Sequence, residues 1–215
     1  MNKTVSQLAL TVSMVLAITF TFSCSSDDDG GGNPSSSSSG GGNGGGSACS
    51  ADFRTVTIGT QTWMAENLNC DVVGSKCYNN NPDNCTIYGR LYDWSTAMKS
   101  CPSGWHLPTQ EEWNTLSNYV ESNSGCSNCD AVRLKATSGW SVNYGTDDYG
   151  FSALPGGFGN SNGNTYDFRN EGYWWSASEF KNGYAYYRLI YYNSDYVLSR
   201  EGFKSSLYSV RCIKN

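Results

Sequence analysis

The chain has 215 residues, with 14 basic and 19 acidic side chains and a formal net charge of −5 at neutral pH. This acidic balance, without a basic stripe, lacks the electrostatic footprint of nucleic-acid binding, so we expect no nucleic-acid partner. Aromatic residues make up 14% of the chain, almost as many as the 15% that are charged. Such tyrosine-rich composition favours β-strands and surfaces that combine a flat apolar ring with a polar edge.

Residues 1–23 have the pattern of a secretory signal peptide. A short polar start precedes an apolar run over 8–22, and this run of about 15 residues is shorter than the roughly 20 needed to span a membrane. Cys24 follows the small residue Ser23, which resembles a bacterial lipobox, where the cysteine becomes the lipid-modified N-terminus. Because Thr21 stands where such motifs usually carry leucine, ordinary signal cleavage without lipidation is the alternative.

Residues 24–48 are predicted to form a disordered tether behind the lipidated Cys24. From residue 30 to residue 47 the sequence is almost entirely Gly, Ser and Asn, a composition that cannot bury a core. The three aspartates at 27–29 resemble the export tag of some bacterial surface lipoproteins, and a solvated linker is the alternative. We therefore expect an exported protein, lipid-anchored at the outer membrane or cell surface, with residues 49–215 as its folded domain.

The pattern within residues 49–215 predicts β-structure, then helices, then β-structure. A hairpin is predicted over 54–64, because two β-rich runs flank a turn at Gly59. The helical pattern is found over 91–99, 109–120 and 131–136. A glycine-rich stretch over 145–163 comes next, and strands are then predicted over 184–192 and 206–213.

Eight of the nine cysteines lie in the predicted domain, which in an exported protein indicates up to four disulfides. Eight cysteines permit on the order of 100 connectivities, and the sequence alone does not choose among them. Proximity suggests two pairs, Cys77 with Cys85 and Cys126 with Cys129. The other four would then pair as Cys101 with Cys212 and Cys49 with Cys70. The alternative for the CxxC at 126–129 is a redox pair or half of a zinc site.

The stretch CPSGWHLPTQEEW, residues 101–113, raises the question of catalysis because it contains the only histidine of the chain. Thr109 and Glu112 have the spacing of a capping box, in which each side chain bonds the backbone N–H of the other at a helix start. His106 has no second histidine with which to build a multi-histidine metal site. We interpret His106 as a packed, hydrogen-bonded residue, with a proton carrier as the alternative.

Six motifs, in this order, resemble the Fibrobacter succinogenes major paralogous domain: CYNNNPDNCTIYGRLYDWSTAMKSCPSGWHLPTQEEW, LKATSGW, DDYGFSALPGG, GYWWSASE, YAYYRLIYY and SVRCIKN. That family consists of exported, often lipid-anchored bacterial proteins with a suspected role in surface adhesion. GWHLPTQEEW and YWWSAS are also similar to the sulfatase-modifying-factor and C-type-lectin-like fold. The resemblance implies an α+β domain of that fold, with two to three short helices, a small antiparallel sheet that brings the termini together, long irregular loops and disulfide staples.

Aromatic side chains are the candidate ligand-binding groups, because flat rings suit the apolar faces of sugars. The candidates are Tyr173, Trp174, Trp175, Tyr184 and Tyr186. For the two tryptophans, packing in the core is the alternative. The loop over 146–150 carries oxygens suited to Ca²⁺ but has neither EF-hand spacing nor the sugar–calcium signatures of C-type lectins, so we predict no metal and no cofactor.

These observations predict a non-catalytic cell-surface lipoprotein, a binding or adhesion module for polysaccharide or another surface component. The first alternative is a coat or scaffold protein without a small ligand. A thiol-dependent oxidase related to the sulfatase-modifying factors is the second, and the expected disulfides disfavour it. No Ser-His-Asp arrangement and no phosphate-binding P-loop can be assembled from the sequence, so no catalytic residue is assigned.

Overall fold

The computed structural model describes Cys49, residues 53–142 and residues 144–215. The predicted signal peptide over 1–23, the lipidation site Cys24 and the tether up to residue 48 lie outside the described residues. Within the described ranges, no helix has both the length and the apolar character needed to cross a bilayer.

Strands and short helices are mixed along the chain, which confirms the predicted α+β class. The strands are β1 (Thr55–Ile58), β2 (Gln61–Met64), β3 (Leu91–Tyr92), β4 (Trp105–His106), β5 (Phe158–Gly159), β6 (Thr165–Tyr166), β7 (Glu171–Lys181), β8 (Tyr184–Tyr191), β9 (Leu198–Phe203), β10 (Tyr208–Ser209) and β11 (Ile213–Lys214). The helices are α1 (Pro82–Tyr88), α2 (Trp94–Ser100), α3 (Gln110–Ser124) and α4 (Asp130–Leu134), with a 3-10 turn at Tyr78–Asn80. The described residues thus contain more helices than the two to three expected.

The first sheet has the strand order β1-β2-β11-β4 and contains the predicted hairpin. Gly59 turns the hairpin at a φ of 62°, and a Cβ at this position would lie 2.7 Å from the Tyr119 ring, so a glycine is needed here. The strand β11 lies between β2 and β4, and Ile213 pairs with both Trp63 and His106. A C-terminal strand therefore occupies the interior of the sheet.

The second sheet has the order β3-β10-β7-β8-β9, and β5 and β6 form a separate pair. The expectation of one small antiparallel sheet is therefore corrected, and the larger sheet also contains a parallel pair, in which Ser209 of β10 lies opposite Trp174 of β7. The strand predicted over 206–213 is divided, because β10 joins the second sheet and β11 the first. Arg211, between them, points into the interior and is fully buried.

Two hydrophobic cores lie on opposite faces of β7, because successive side chains of a strand point to opposite faces. Trp174 belongs to the first core, which packs against α3 and the hairpin and includes Ile58, Trp63, Trp113, Leu116, Val120 and Ile213. Tyr173 and Trp175 belong to the second core, which includes Met64, Leu68, Tyr92, Leu189, Tyr208 and Cys212. The central strand is thus covered on both sides.

Helix boundaries follow local capping signals. The predicted helix over 91–99 begins only at Trp94, because Leu91 and Tyr92 pair with β10 and the Asp93 carboxylate caps α2 by accepting from the Thr96 N–H at 2.9 Å. The capping box at Thr109 is present as predicted, and α3 continues beyond residue 120 to end before Gly125, which has a left-handed φ of 70°.

Four disulfides join the same cysteines that the sequence suggested: Cys49–Cys70, Cys77–Cys85, Cys101–Cys212 and Cys126–Cys129. The sequence separations are 21, 8, 111 and 3 residues respectively. The bridge with the largest separation connects the end of α2 to the segment just before β11. It therefore fastens the middle of the chain to both sheets.

Three cations, Lys135, Arg188 and Arg211, are buried in the interior. Arg188 donates to the Gln110 carbonyl at 3.0 Å and to the Asn114 side-chain oxygen at 2.7 Å. The Arg211 guanidinium donates to the Asn67 side-chain oxygen at 2.8 Å and to backbone carbonyls. Lys135 donates from Nζ to the Tyr144 hydroxyl at 2.9 Å and to the Ser194 carbonyl at 2.8 Å. Oxygen acceptors of this kind replace the water that each cation loses on burial.

Candidate functional site

Three of the five predicted ligand-binding residues are in the interior. Tyr173, Trp174 and Trp175 are only 7%, 1% and 0% exposed. The indole N–H of Trp174 donates to Asn67 at 2.8 Å and that of Trp175 to the Tyr92 carbonyl at 2.7 Å, so both polar groups are satisfied inside the protein. The prediction that these three rings contact a ligand is therefore corrected, and the core packing given as the alternative for the two tryptophans is confirmed, because core residues cover both faces of β7 at these positions.

Tyr184 and Tyr186 lie instead at the open end of the second sheet, where both are partly exposed. The Tyr184 ring packs on Phe203 of β9 with centroids 4.6 Å apart, and the Tyr186 ring meets Phe180 of β7 edge-on at 5.3 Å. Phe203 is 59% exposed and Phe180 is 44% exposed. We call this group, Phe180, Tyr184, Tyr186 and Phe203, the hairpin aromatic cluster.

A lysine accompanies these rings. The Nζ atom of Lys181 is 4.9 Å from the centroid of the Tyr184 ring and 5.5 Å from that of Phe180. At such distances an ammonium group is attracted to the negative face of an aromatic ring. The cluster thus combines apolar ring faces, two phenolic hydroxyls and one cation on a partly exposed surface.

The β7–β8 hairpin positions the cluster. Asn182 and Gly183 form the turn, and Gly183 has a φ of 81°, as the Asn-Gly sequence favours. The strand β8 is held between β7 and β9, with Tyr184 opposite Phe203. Phe180 and Phe203 were not among the predicted site residues. The Asn-Gly turn was a signal that would have placed Phe180 at a hairpin end, but no local signal points to Phe203, which lies on β9.

His106 has both ring nitrogens engaged by side chains. Nδ1 lies 2.7 Å from Oδ1 of Asn215, and Nε2 lies 2.8 Å from Oε1 of Glu112. Burial alone would raise the pKa of Glu112, but hydrogen bonds from Thr109 and His106 together outweigh it and hold the pKa below its ordinary value. The histidine thus connects β4, the start of α3 and the C-terminal segment. It is hydrogen-bonded as predicted, but its side chain is 38% exposed and is not enclosed by packing.

The loop over 146–150 uses its carboxylates within the protein. Asp147 accepts from the backbone N–H and the hydroxyl of Ser152, at 2.7 and 2.6 Å. Asp148 pairs with Arg133 at 2.5 Å. In the part of the chain that the structure describes, no group of three or more His, Cys, Asp or Glu side chains is placed to hold a metal ion.

These features define a class: a disulfide-stabilised α+β domain with an exposed aromatic cluster at the end of a hairpin. The family model of the Fibrobacter succinogenes major domain matches residues 56–214, so the chain belongs to that family. No curated protein and no solved structure matches the chain. The more distant similarity to the sulfatase-modifying-factor and C-type-lectin-like fold stays a prediction.

Proposed function

We propose that this chain is an exported, lipid-anchored binding module that attaches to polysaccharide or another cell-surface polymer through the hairpin aromatic cluster. The observation that carries the proposal is the grouping of Phe180 and Phe203, each more than two-fifths exposed, with two partly exposed tyrosines. Single exposed apolar side chains are ordinary, whereas a contiguous exposed group marks an interaction surface.

The chemistry of the cluster suits a sugar. Ring faces pack against the C–H face of a pyranose, and the phenolic hydroxyls of Tyr184 and Tyr186 exchange hydrogen bonds with sugar hydroxyls. Aromatic side chains have few rotatable bonds, so fixing them on binding costs little entropy. Because β8 is hydrogen-bonded to a strand on each side, the backbone beneath these rings is already ordered.

Binding is proposed rather than catalysis for two reasons. Both nitrogens of His106 are occupied by side-chain partners, so a proton-transfer role would require these contacts to break. The eight cysteines of residues 49–215 are joined in disulfides, whereas a thiol-dependent oxidase would need a thiolate. The signal-like sequence over 1–23 and the lipobox-like Cys24 support the export and anchoring parts of the proposal.

The test uses protein that begins at residue 24 and carries Cys24→Ser, which prevents lipidation. It is screened against a glycan array and in pull-downs with insoluble cellulose, xylan and chitin. For a polymer that binds, the double variant Tyr186→Ala/Phe203→Ala is expected to weaken binding at least tenfold, because losing two ring contacts forfeits about 1.4 kcal/mol or more.

Tyr196→Ala is the matched control, since Tyr196 is 47% exposed but does not belong to the cluster. Wild-type protein that binds no glycan or surface polymer would favour the coat or scaffold alternative. Equal binding by the double variant and the wild type would show that the cluster is not the site.

A further inference from the structure

A second surface feature is an open groove of about 490 Å³ beside α2. Its polar lining comes from two lysines, an aspartate and three serines: Lys76, Lys204, Asp93, Ser95, Ser161 and Ser205. We call it the lysine groove. It shares no residue with the hairpin aromatic cluster, and its volume lies within the range of roughly 300–1,000 Å³ typical of small-ligand sites.

Two of the three charges in the groove already have partners. The Asp93 carboxylate accepts from the Thr96 N–H at 2.9 Å and from the Ser95 hydroxyl at 2.8 Å. Lys204 pairs with Glu179 at 2.7 Å, and its Nζ lies 4.1 Å from the centroid of the Trp94 ring. The charge of Lys204 is therefore paired with an opposite charge, whereas the Asp93 carboxylate keeps its negative charge and is held by neutral donors.

Lys76 is different. Across residues 53–142 and 144–215, no carboxylate lies within ion-pair distance of its Nζ atom. Its backbone is held by reciprocal hydrogen bonds with Leu91, at 2.9 and 2.8 Å. A Cβ added to Gly163 would clash with Nζ, so the ammonium group lies against the turn that contains this glycine. The Lys76 side chain is partly buried and lines the groove, and within the described residues its charge is not paired with a carboxylate.

We propose that the lysine groove binds an anionic saccharide unit, whose acidic group pairs with Lys76. A charge-assisted hydrogen bond to an ammonium group is about twice as strong as a neutral one, which makes Lys76 the main source of affinity. The hydroxyls of Ser161 and Ser205 can each donate and accept, and the Ser95 hydroxyl, which already donates to Asp93, can still accept, so the three match the hydroxyls of a sugar ring. A carboxylate and a sulfate ester present the same chemistry to Lys76, and the choice of probes separates them.

The lysine groove shares no residue with the hairpin aromatic cluster, so an experiment can disprove one binding proposal and leave the other standing. Titration calorimetry measures three probes of matched length: a galacturonic-acid oligomer, a sulfated oligosaccharide and a neutral galactose oligomer. Wild-type protein is expected to bind one or both charged probes and to lose affinity as salt is raised. Lys76→Gln is expected to weaken that binding about tenfold, and Lys76→Arg to retain most of it.

Lys99→Gln is the matched control, because Lys99 is an exposed lysine of α2 that does not line the groove. The variant Tyr186→Ala/Phe203→Ala is expected to bind the charged probe normally. NMR of wild-type protein supplies a readout that needs no substitution, with shifts expected at Ser95 and Ser161. Equal affinity for the neutral probe, unchanged binding by Lys76→Gln, or the absence of binding and of shifts at these serines would each overturn the proposal.

Discussion

Removal of the Cys101–Cys212 bridge is predicted to destabilise the domain more than removal of the Cys77–Cys85 bridge. The first joins residues separated by 111 positions, for which the chain-entropy model gives about 4.8 kcal/mol at 25 °C. The second has a separation of 8 residues, for which the same model gives about 2.5 kcal/mol. The double variants to alanine, which leave no unpaired thiol, should therefore differ by about 2 kcal/mol in the free energy of unfolding.

Packing adds to this difference. Cys212 is 0% exposed and belongs to the second core, so truncation to alanine also removes buried contacts. Cys101 ends α2, and its loss frees that end of the helix. The entropy figure is thus a lower bound for the Cys101–Cys212 pair.

Equilibrium urea unfolding of wild type and the two double variants measures the effect directly. In thermal unfolding, a loss of about 5 kcal/mol corresponds to a decrease in Tm of roughly 10–20 °C for a domain of this size. The reasoning would be refuted if Cys77→Ala/Cys85→Ala lowered the free energy of unfolding as much as Cys101→Ala/Cys212→Ala does.

Three single substitutions test individual contacts. Glu112→Gln keeps a residue that can cap the helix but removes the negative charge whose oxygen lies 2.8 Å from Nε2 of His106. It should therefore lower the free energy of unfolding by about 1 kcal/mol at neutral pH. Lys135→Met removes an ammonium group whose pKa is lowered by burial to about 8. Relative to this variant, the free energy of unfolding of the wild type should rise by roughly 2 kcal/mol as the pH is raised from about 7 to 10. Gly59→Ala places a Cβ 2.7 Å from the Tyr119 ring at a left-handed φ, at a cost of about 1–3 kcal/mol.

The sign of each pH effect follows from linkage. The folded state lowers the pKa of Glu112, so its contribution is present above the unfolded value and is lost as the pH falls through the folded value. The folded state also lowers the pKa of Lys135, mainly through burial and against the attraction of Asp195, so the folded protein releases this proton first and gains stability as the pH rises. Urea unfolding at several pH values measures both.

Each of the three substitutions has an outcome that would contradict its prediction. The cost of Glu112→Gln should shrink in acid, and a constant cost would exclude a contribution from the charge. If the difference in free energy of unfolding between wild type and Lys135→Met did not change from pH 7 to 10, the pKa of Lys135 would not be lowered by folding. Gly125→Ala is the control for Gly59→Ala, because Gly125 also has a left-handed φ, of 70°, but no heavy atom lies within 4 Å of the added Cβ. If both variants lowered the free energy of unfolding equally, backbone strain alone would explain the effect, without a clash with Tyr119.

The elements that the sequence predicts correctly are those with local signals. Gly59 between two β-rich runs was sufficient for the hairpin, and Thr109 with Glu112 was sufficient for the start of α3. Each depends on contacts among residues that are close along the chain. The two short-range disulfides were suggested for the same reason, whereas the pairing Cys101–Cys212 was one of three that the remaining four cysteines allow, and the structure has that one.

The features that sequence analysis missed depend on partners distant in the chain. Leu91 and Tyr92 have a helical pattern with the residues that follow, yet they form a strand because β10 lies more than 100 residues later and pairs with them. Tyr173, Trp174 and Trp175 look like a ligand platform until both faces of β7 are seen to be covered. Phe203 becomes a neighbour of Tyr184 only through the pairing of β8 with β9.

The interior position of β11 has a consequence for how the protein matures. The strand β2 is made early in synthesis, but its neighbour in the sheet, Ile213, emerges about 150 residues later. Long-range pairing of this kind slows folding, because chain entropy is lost before the contact forms. The first sheet can close only after residue 214 has left the ribosome, so β1 and β2 remain without their inner neighbour while the roughly 150 residues between them and β11 are synthesised.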